Sequence, residues 1–516
     1  MNVVKTSKLN ISFVELYSPP PTGLVINKSV DFIGRVYPVA DNQLSFQKTA
    51  SISPQPPTIG WNDCPFIRNM GELLQIIYDG GVISSESIDK VVAVAPRNFF
   101  ENNVTCIPVG GADGISLPGY HSIIIEEGSG RQVAGHELGH TYGLCDEDDR
   151  DKWALQNSLI SFFGIPLWPG GKCPNGDRNN DAMLDIECTP TGCPTRTFSI
   201  LSNLTEEDTL FNMMGSQAES FAWISNDTYR HLLRMFNHSS PIFSDSRILV
   251  SGFYDRLNST AKFNNFYLLG PGFAHNISEF GEGNFSLEIQ DINQITISDI
   301  RFNLSFVTVY DNGNISEINK TPFSFVLPFD ANSSKFLFKK NETVLLERNR
   351  SLTPPNISLI SPNGGEYFSN QEINISWNAT DNDGDNVSFS VLISSDSGQS
   401  YSTLAYNINT TKFSLTSNML PDSKNYVVKI LATDGVNTAN DTSDGIFEID
   451  NDLNITNFVV VYTNGTQRIF KIEVNNTLNA NISNLSWNLD TGDIVKHSTI
   501  NFNIFPNEIV KFFLYR

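Results

Sequence analysis

From about residue 246 to the end of the chain no segment carries a helical repeat; short alternating runs separated by Asn, Gly and Asp turns replace it. That pattern admits only all-β bodies for more than half of the molecule. RILVSGFYDRLN, FSLEIQDI, ISDIRFNLSFVTVY and FSFVLPF read as the strands of one sandwich spanning 246–352, and Pro354-Pro355 reads as a linker. A second sandwich is expected over 353–450 and a small or truncated β domain over 451–516.

Residues 1–245 have a different texture. LNISFVELY (9–17) alternates like a strand, SVDFIGRVY (29–37) is compatible with a helix, and NMGELLQIIYDGG (69–81) reads as a helix stopped by Gly-Gly. KVVAVAP (90–96) is a continuous apolar run of the kind found in strands covered on both faces, and HSIIIEE (121–127) is a further strand. The fold class expected is therefore multidomain, with an N-terminal α/β domain followed by all-β sandwiches.

Within the α/β region, Arg131–Glu147 reads RQVAGHELGHTYGLCDE. Residues four apart share a helix face, so His136 and His140 can aim both imidazoles at one ion. Two neutral imidazoles suit Zn2+, and a catalytic zinc keeps one coordination position for water. Glu137 follows the first histidine, where its carboxylate can take a proton from that water. Gly143 can end the helix and turn the chain back, delivering Asp146 as a third ligand. The adjacent Glu147, Asp148 and Asp149 would replace it after a slip of a few residues, and Cys145 offers a thiolate, although a disulfide suits an oxidising compartment better. An aspartate ligand in place of a third histidine leaves the site less positive and the bound water less acidic, which asks more of Glu137.

The string H-E-x-x-H-x-x-G-x-x-D resembles the extended motif of the metzincin clan of zinc peptidases, and HELGHTYGLCDE is similar to the immune inhibitor A-type pattern with Cys145 in place of its Pro. The resemblance implies a zincin-like N-terminal domain, a cleft-bordering strand near 121–127 that pairs with extended substrate, and a Met-containing turn beneath the metal. Asn212-Met213-Met214-Gly215 supplies such a turn, with Met214 the expected methionine. Ser216 stands where several such families carry a metal-proximal Tyr. A helix expected after the turn is supplied by NDTYRHLLRMF (226–236), with Asn226 as N-cap. His121, His231 and His238 are read as ordinary surface or core histidines. The 353–450 segment resembles Ig-like or fibronectin type III-like modules of microbial surface proteins through SPNGGE, Trp377 and TDNDGDNVSFSV.

Two acidic stretches invite Ca2+. Asp177, Asn179, Asp181 and Asp185 have oxygen-ligand spacing, but Ala182 stands where an EF-hand needs Gly and no Glu closes the loop, so a disulfide-stapled loop is the preferred reading. Asp381, Asp383 and Asp385 are preferred as a solvated turn over a calcium site.

A net charge of −22 with only 17% charged residues excludes nonspecific nucleic-acid or anionic-membrane binding. There is no apolar run of about 18 residues, so no membrane span is expected. Residues 2–13 lack the apolar core of a signal peptide, so the signal is expected to have been removed, or the chain to be a piece of a longer one. Roughly two dozen Asn-x-Ser/Thr sequons, among them Asn27, Asn103, Asn258, Asn374 and Asn484, point to a secreted glycoprotein, with an Asn-rich genome as the alternative. Cys64, Cys106, Cys145, Cys173, Cys188 and Cys193 all fall in the first domain and suggest up to three disulfides there.

The expected function is a secreted or cell-surface zinc endopeptidase acting on protein or peptide substrates, with the β domains making cell-surface or glycan contacts. Two alternatives stay open: a surface adhesion or structural glycoprotein with a non-catalytic zincin domain, and a zinc hydrolase of non-peptide amides.

Overall fold

The computed structural model describes the core of the N-terminal region (most of 9–52, 70–95 and 112–144), a few residues between 211 and 236, and most of 241–515, with side chains up to 451. Strands predominate among the described residues, arranged in several sheets.

The N-terminal sheet is built from β1 (Leu9–Leu16), β2 (Leu44–Ile52), β3 (Lys90–Ala95), β4 (Gly114–Ser116) and β5 (Ser122–Glu126). Helix α1 (Leu24–Val36) joins the first two strands, α2 (Met70–Ser84) precedes β3, and α3 (Val133–Thr141) follows β5. Four strands run parallel in the order β2-β1-β3-β5, and β4 lies antiparallel on β5. Parallel neighbours need crossover helices, and these cover both faces. Alternate residues of β3 accordingly enter two cores. Val91, Ala93 and Ala95 pack under Leu73, Leu74 and Ile77 of α2. Val92 and Val94, with Ile123 and Ile125, pack under Phe32 and Ile33 of α1 and Val133, Ala134 and Leu138 of α3. Leu232 and Phe236, from the segment expected to form the later helix, join this second core.

Two details differ from the sequence reading. Helix α2 does not stop at Gly80-Gly81 but continues to Ser84. The glycines there allow close approach: a Cβ on Gly81 would sit 3.0 Å from Val91 Cγ2, and the Gly80 carbonyl accepts a hydrogen bond from Thr403 Oγ1 at 2.6 Å. The run ISDIRFNLSFVTVY, read as one piece of sandwich, divides between two sheets. Thr296–Phe302 pairs with Phe285–Gln290 in the sandwich, whereas β6 (Val307–Tyr310) and β7 (Ile315–Glu317) extend the N-terminal sheet beyond β4. The full order is β7-β6-β4-β5-β3-β1-β2. This sheet therefore crosses the boundary expected at 245.

The first sandwich sets Arg247–Asp255, flanked by Lys320–Pro328 and two shorter strands, against a sheet of 296–302, 285–290, 335–340 and 343–349. Its core is rich in phenylalanine, with Phe323 and Phe338 stacked at 4.7 Å. The second sandwich, over 356–449, buries Trp377 edge-on against Phe389 at 5.3 Å. Beyond it the backbone forms a three-stranded sheet of 454–464, 467–475 and 509–515 and a hairpin of 482–490 and 495–504. No described helix is long and apolar enough to cross a membrane.

These bodies interlock at α2. Gln75 Nε2 donates to the carbonyls of Gly252 (3.0 Å) and Phe323 (3.1 Å) in the first sandwich. One residue of α2, Asp79, accepts from Ser324 Oγ (2.7 Å) in the first sandwich and from the Tyr406 hydroxyl (3.0 Å) in the second.

Candidate metal centre

Helix α3 forms because Val133, Ala134 and Leu138 place apolar groups on the side that meets the sheet. Gly135 lets it approach α1 closely, since a Cβ there would lie 2.9 Å from the Phe32 ring, and the Tyr37 hydroxyl donates to the Gly135 carbonyl at 2.8 Å. At the C-terminal end Tyr142 is the cap, and the Leu144 N–H bonds back to the Gly139 carbonyl at 3.1 Å. This bond, reaching five residues back, is the one that closes a glycine-type helix stop, in the register the sequence assigns to Gly143; Gly143 itself lies outside the described residues.

That turn has a chemical consequence. The Leu144 carbonyl lies 2.9 Å from His140 Nδ1. A carbonyl can only accept, so Nδ1 carries the proton and the lone pair of His140 is on Nε2. The His136 and His140 rings stand at 85° to one another, with their Nε2 atoms 3.1 Å apart. Two nitrogens bound tetrahedrally to zinc at about 2.0–2.1 Å would be separated by about 3.3 Å. The same spacing also suits an N–H···N bond between the rings when no ion is present. The two nitrogens thus have a spacing compatible with two positions of a zinc ion, and the Leu144 carbonyl orients the His140 ring.

Glu137 is fully buried between α3 and the sheet. It lies directly over Gly114 of β4, where a Cβ would come within 2.8 Å of Glu137 Cγ and 3.0 Å of its Oε1. Its carboxylate also reaches Tyr310 electrostatically: burial raises the phenol's pKa and the Glu137 charge adds to the rise, against a hydrogen bond with Thr308. Nothing local in the sequence marks Gly114 or Tyr310, which come to the site through strand pairing. We expect Gly114→Val to push the Glu137 side chain aside, lowering any hydrolysis at least about tenfold while metal binding persists, with overpacking costing about 1–3 kcal/mol. Thermal unfolding and metal content measured beside activity check this, and unchanged activity would contradict the contact.

Around the site, Lys90 is buried at the start of β3, donates to the Tyr120 carbonyl at 2.8 Å and lies over the Tyr142 ring at 4.5 Å. Burial lowers its pKa to about 7, opposed by the charge of Asp89. His121, read as an ordinary histidine, is a core residue stacked on Tyr78 at 4.7 Å.

Asp146, Met214 and the stretch containing Asp177, Asn179, Asp181 and Asp185 lie outside the described residues, as do all six cysteines. Asp381, Asp383 and Asp385 bring carboxylate oxygens within 4.8 Å of one another on an exposed turn. Asp381 Oδ1 accepts from the N–H groups of Asp383 (2.8 Å) and Asp385 (3.2 Å), which orders the turn from within. No protein-family model matches this sequence, and no curated protein matches it significantly.

Proposed function

We propose that this protein is a zinc-dependent peptidase whose N-terminal zincin-like domain hydrolyses protein or peptide substrates. The observation that supports this most directly is the convergence of His136 and His140 Nε2, with His140 oriented by the Leu144 carbonyl and Glu137 buried beside them. In this reading His136, His140 and Asp146 hold the ion. Bound zinc would polarise the scissile carbonyl and bring the pKa of its water toward about 7. Glu137 would serve as the proton acceptor for a water at the site and as the proton donor to the departing amine. Its burial over β4 keeps solvent from competing for the carboxylate, and the close approach of β4 at Gly114 limits where its side chain can point. Secretion or surface display is proposed from the sequons and the clustered cysteines, with the β bodies as arms that make surface or glycan contacts.

Zinc titration into chelator-treated protein tests the site without relying on turnover. One equivalent should bind, and at a free concentration a hundredfold above Kd should stabilise the fold by about 2.7 kcal/mol. His140→Ala should abolish both effects, and Asp146→Ala should weaken them. Casein hydrolysis should disappear on chelation and return with zinc. Zinc binding of equal strength in His140→Ala would overturn the assignment.

A further inference from the structure

The strand that lies under Glu137 has no bare edge. One side of β4 pairs with β5; the other is taken by β6, with Val309 opposite Ser116 and Tyr310 opposite Ile115. All four residues of β6 are buried. β6 and β7 form an excursion out of the first sandwich, between Thr296–Phe302 and Lys320–Pro328. The excursion closes on itself at its base, where the Ile318 N–H donates to the Phe306 carbonyl at 2.8 Å. The base is anchored in the sandwich: Phe306 belongs to its core, Thr321 Oγ1 donates to the Ser305 carbonyl at 2.7 Å, and Arg256 pairs with Glu317 at 2.6 Å.

An extended peptide can add to a sheet only along a strand whose N–H and C=O groups face outward unpaired. β4 is the strand nearest Glu137, and those groups are already engaged by the chain's own residues. We infer that β6 is an intramolecular occupant of the position where an extended polypeptide substrate would pair with β4, so that the protein as folded is self-covered and turns over substrate only when β6 withdraws. The consequence for turnover rests on the peptidase reading; the occupancy of the edge does not. The construction favours withdrawal as a unit, because the ends of the excursion already meet at Phe306 and Ile318 and the sandwich does not need β6 to close its own sheets.

The test replaces residues 307–317 by Asn-Gly, joining Phe306 to Ile318 in a tight turn. With zinc loaded, kcat/KM for denatured casein should rise at least about tenfold over the wild type, mainly through a lower KM. A folded, zinc-loaded variant with unchanged or lower kcat/KM would overturn the proposal. A synthetic peptide copying Ser305–Tyr310 should inhibit the shortened protein and protect the amides of β4 from hydrogen exchange, and do neither to the wild type. If no form hydrolyses casein although all bind zinc, the peptidase reading falls. The edge occupancy is then judged by that protection alone: protection supports it, and its absence overturns it. Should the shortened chain not fold, Ser116→Cys with Val309→Cys decides, since directly paired residues lie within disulfide reach. The oxidised form should hydrolyse casein at least about tenfold more slowly than the reduced form after division by the same ratio in the wild type; equal ratios in the two proteins overturn the proposal.

Discussion

Glu137→Gln should remove hydrolysis almost completely while leaving the metal in place. Glutamine matches glutamate in size, so the buried position over Gly114 stays filled and the His136–His140 pair keeps its spacing. What is lost is the group that accepts a proton, and positioned proton transfer contributes about 10²–10⁴-fold to rate. The expected result is a fall of that size in kcat/KM, with zinc stoichiometry and melting temperature unchanged. Activity within about threefold of wild type would show that the bound water is activated in another way, or that the activity belongs to a contaminant. Absence of activity from both proteins, each with zinc bound, would favour a binding role for the domain.

The second large effect concerns stability. Asp79 is fully buried, and burial pushes its carboxyl up to about 7, although hydrogen bonds with Ser324, Ser251 and Tyr406 pull the other way. In the unfolded chain the same group titrates near its ordinary value of 3.8. Between these values the folded protein holds a proton that the unfolded chain has released. Stability from this group is therefore fully present below about pH 4, declines as pH rises towards 7, and stays lost above it. The deficit at pH 8 is on the order of 4 kcal/mol. Asp79→Asn should remove it, so the variant gains stability over the wild type as pH rises from 4 to 8. Urea unfolding of both proteins at matched pH values checks this.

The difference between the two proteins is the quantity to measure, because neighbouring groups also titrate. Burial lowers the His275 pKa to about 4 and the His121 pKa well below its ordinary value, so each adds stability as pH rises toward 6.5. Asp89, raised by burial to about 6, works in the same sense as Asp79. Lys90 adds stability from about pH 7 up to its ordinary 10.5. A difference that does not grow with pH would mean that Asp79 keeps its charge in the fold.

Local periodicity made much of this architecture legible. The six-residue run at 90–95 is a strand covered on both faces because nothing in it tolerates water except Lys90, whose ammonium reaches the Tyr120 carbonyl. The two histidines meet because helical spacing alone brings them onto one face. Features set by distant pairing were not legible. Leu44–Ile52 is a strand with Gln47 and Lys48 at its centre, and its parallel pairing with β1 makes it one. ISDIRFNLSFVTVY alternates throughout, so nothing local marks the point where the chain leaves one sheet for another. Asp79 reads as the polar end of a helix until Ser324 and Tyr406, far along the chain, enclose it.

The route taken by β6 also sets an order of events during synthesis. Tyr310 meets Ile115 across roughly two hundred residues of sequence, so this contact closes late and slowly. While the intervening chain is made, β4 is left as an open seam on an otherwise assembled sheet, and open seams recruit stray strands from neighbouring nascent chains. A growing polypeptide of this design should lean on chaperones until residue 317 has emerged, and a ribosome stalled before that point would release a sticky intermediate.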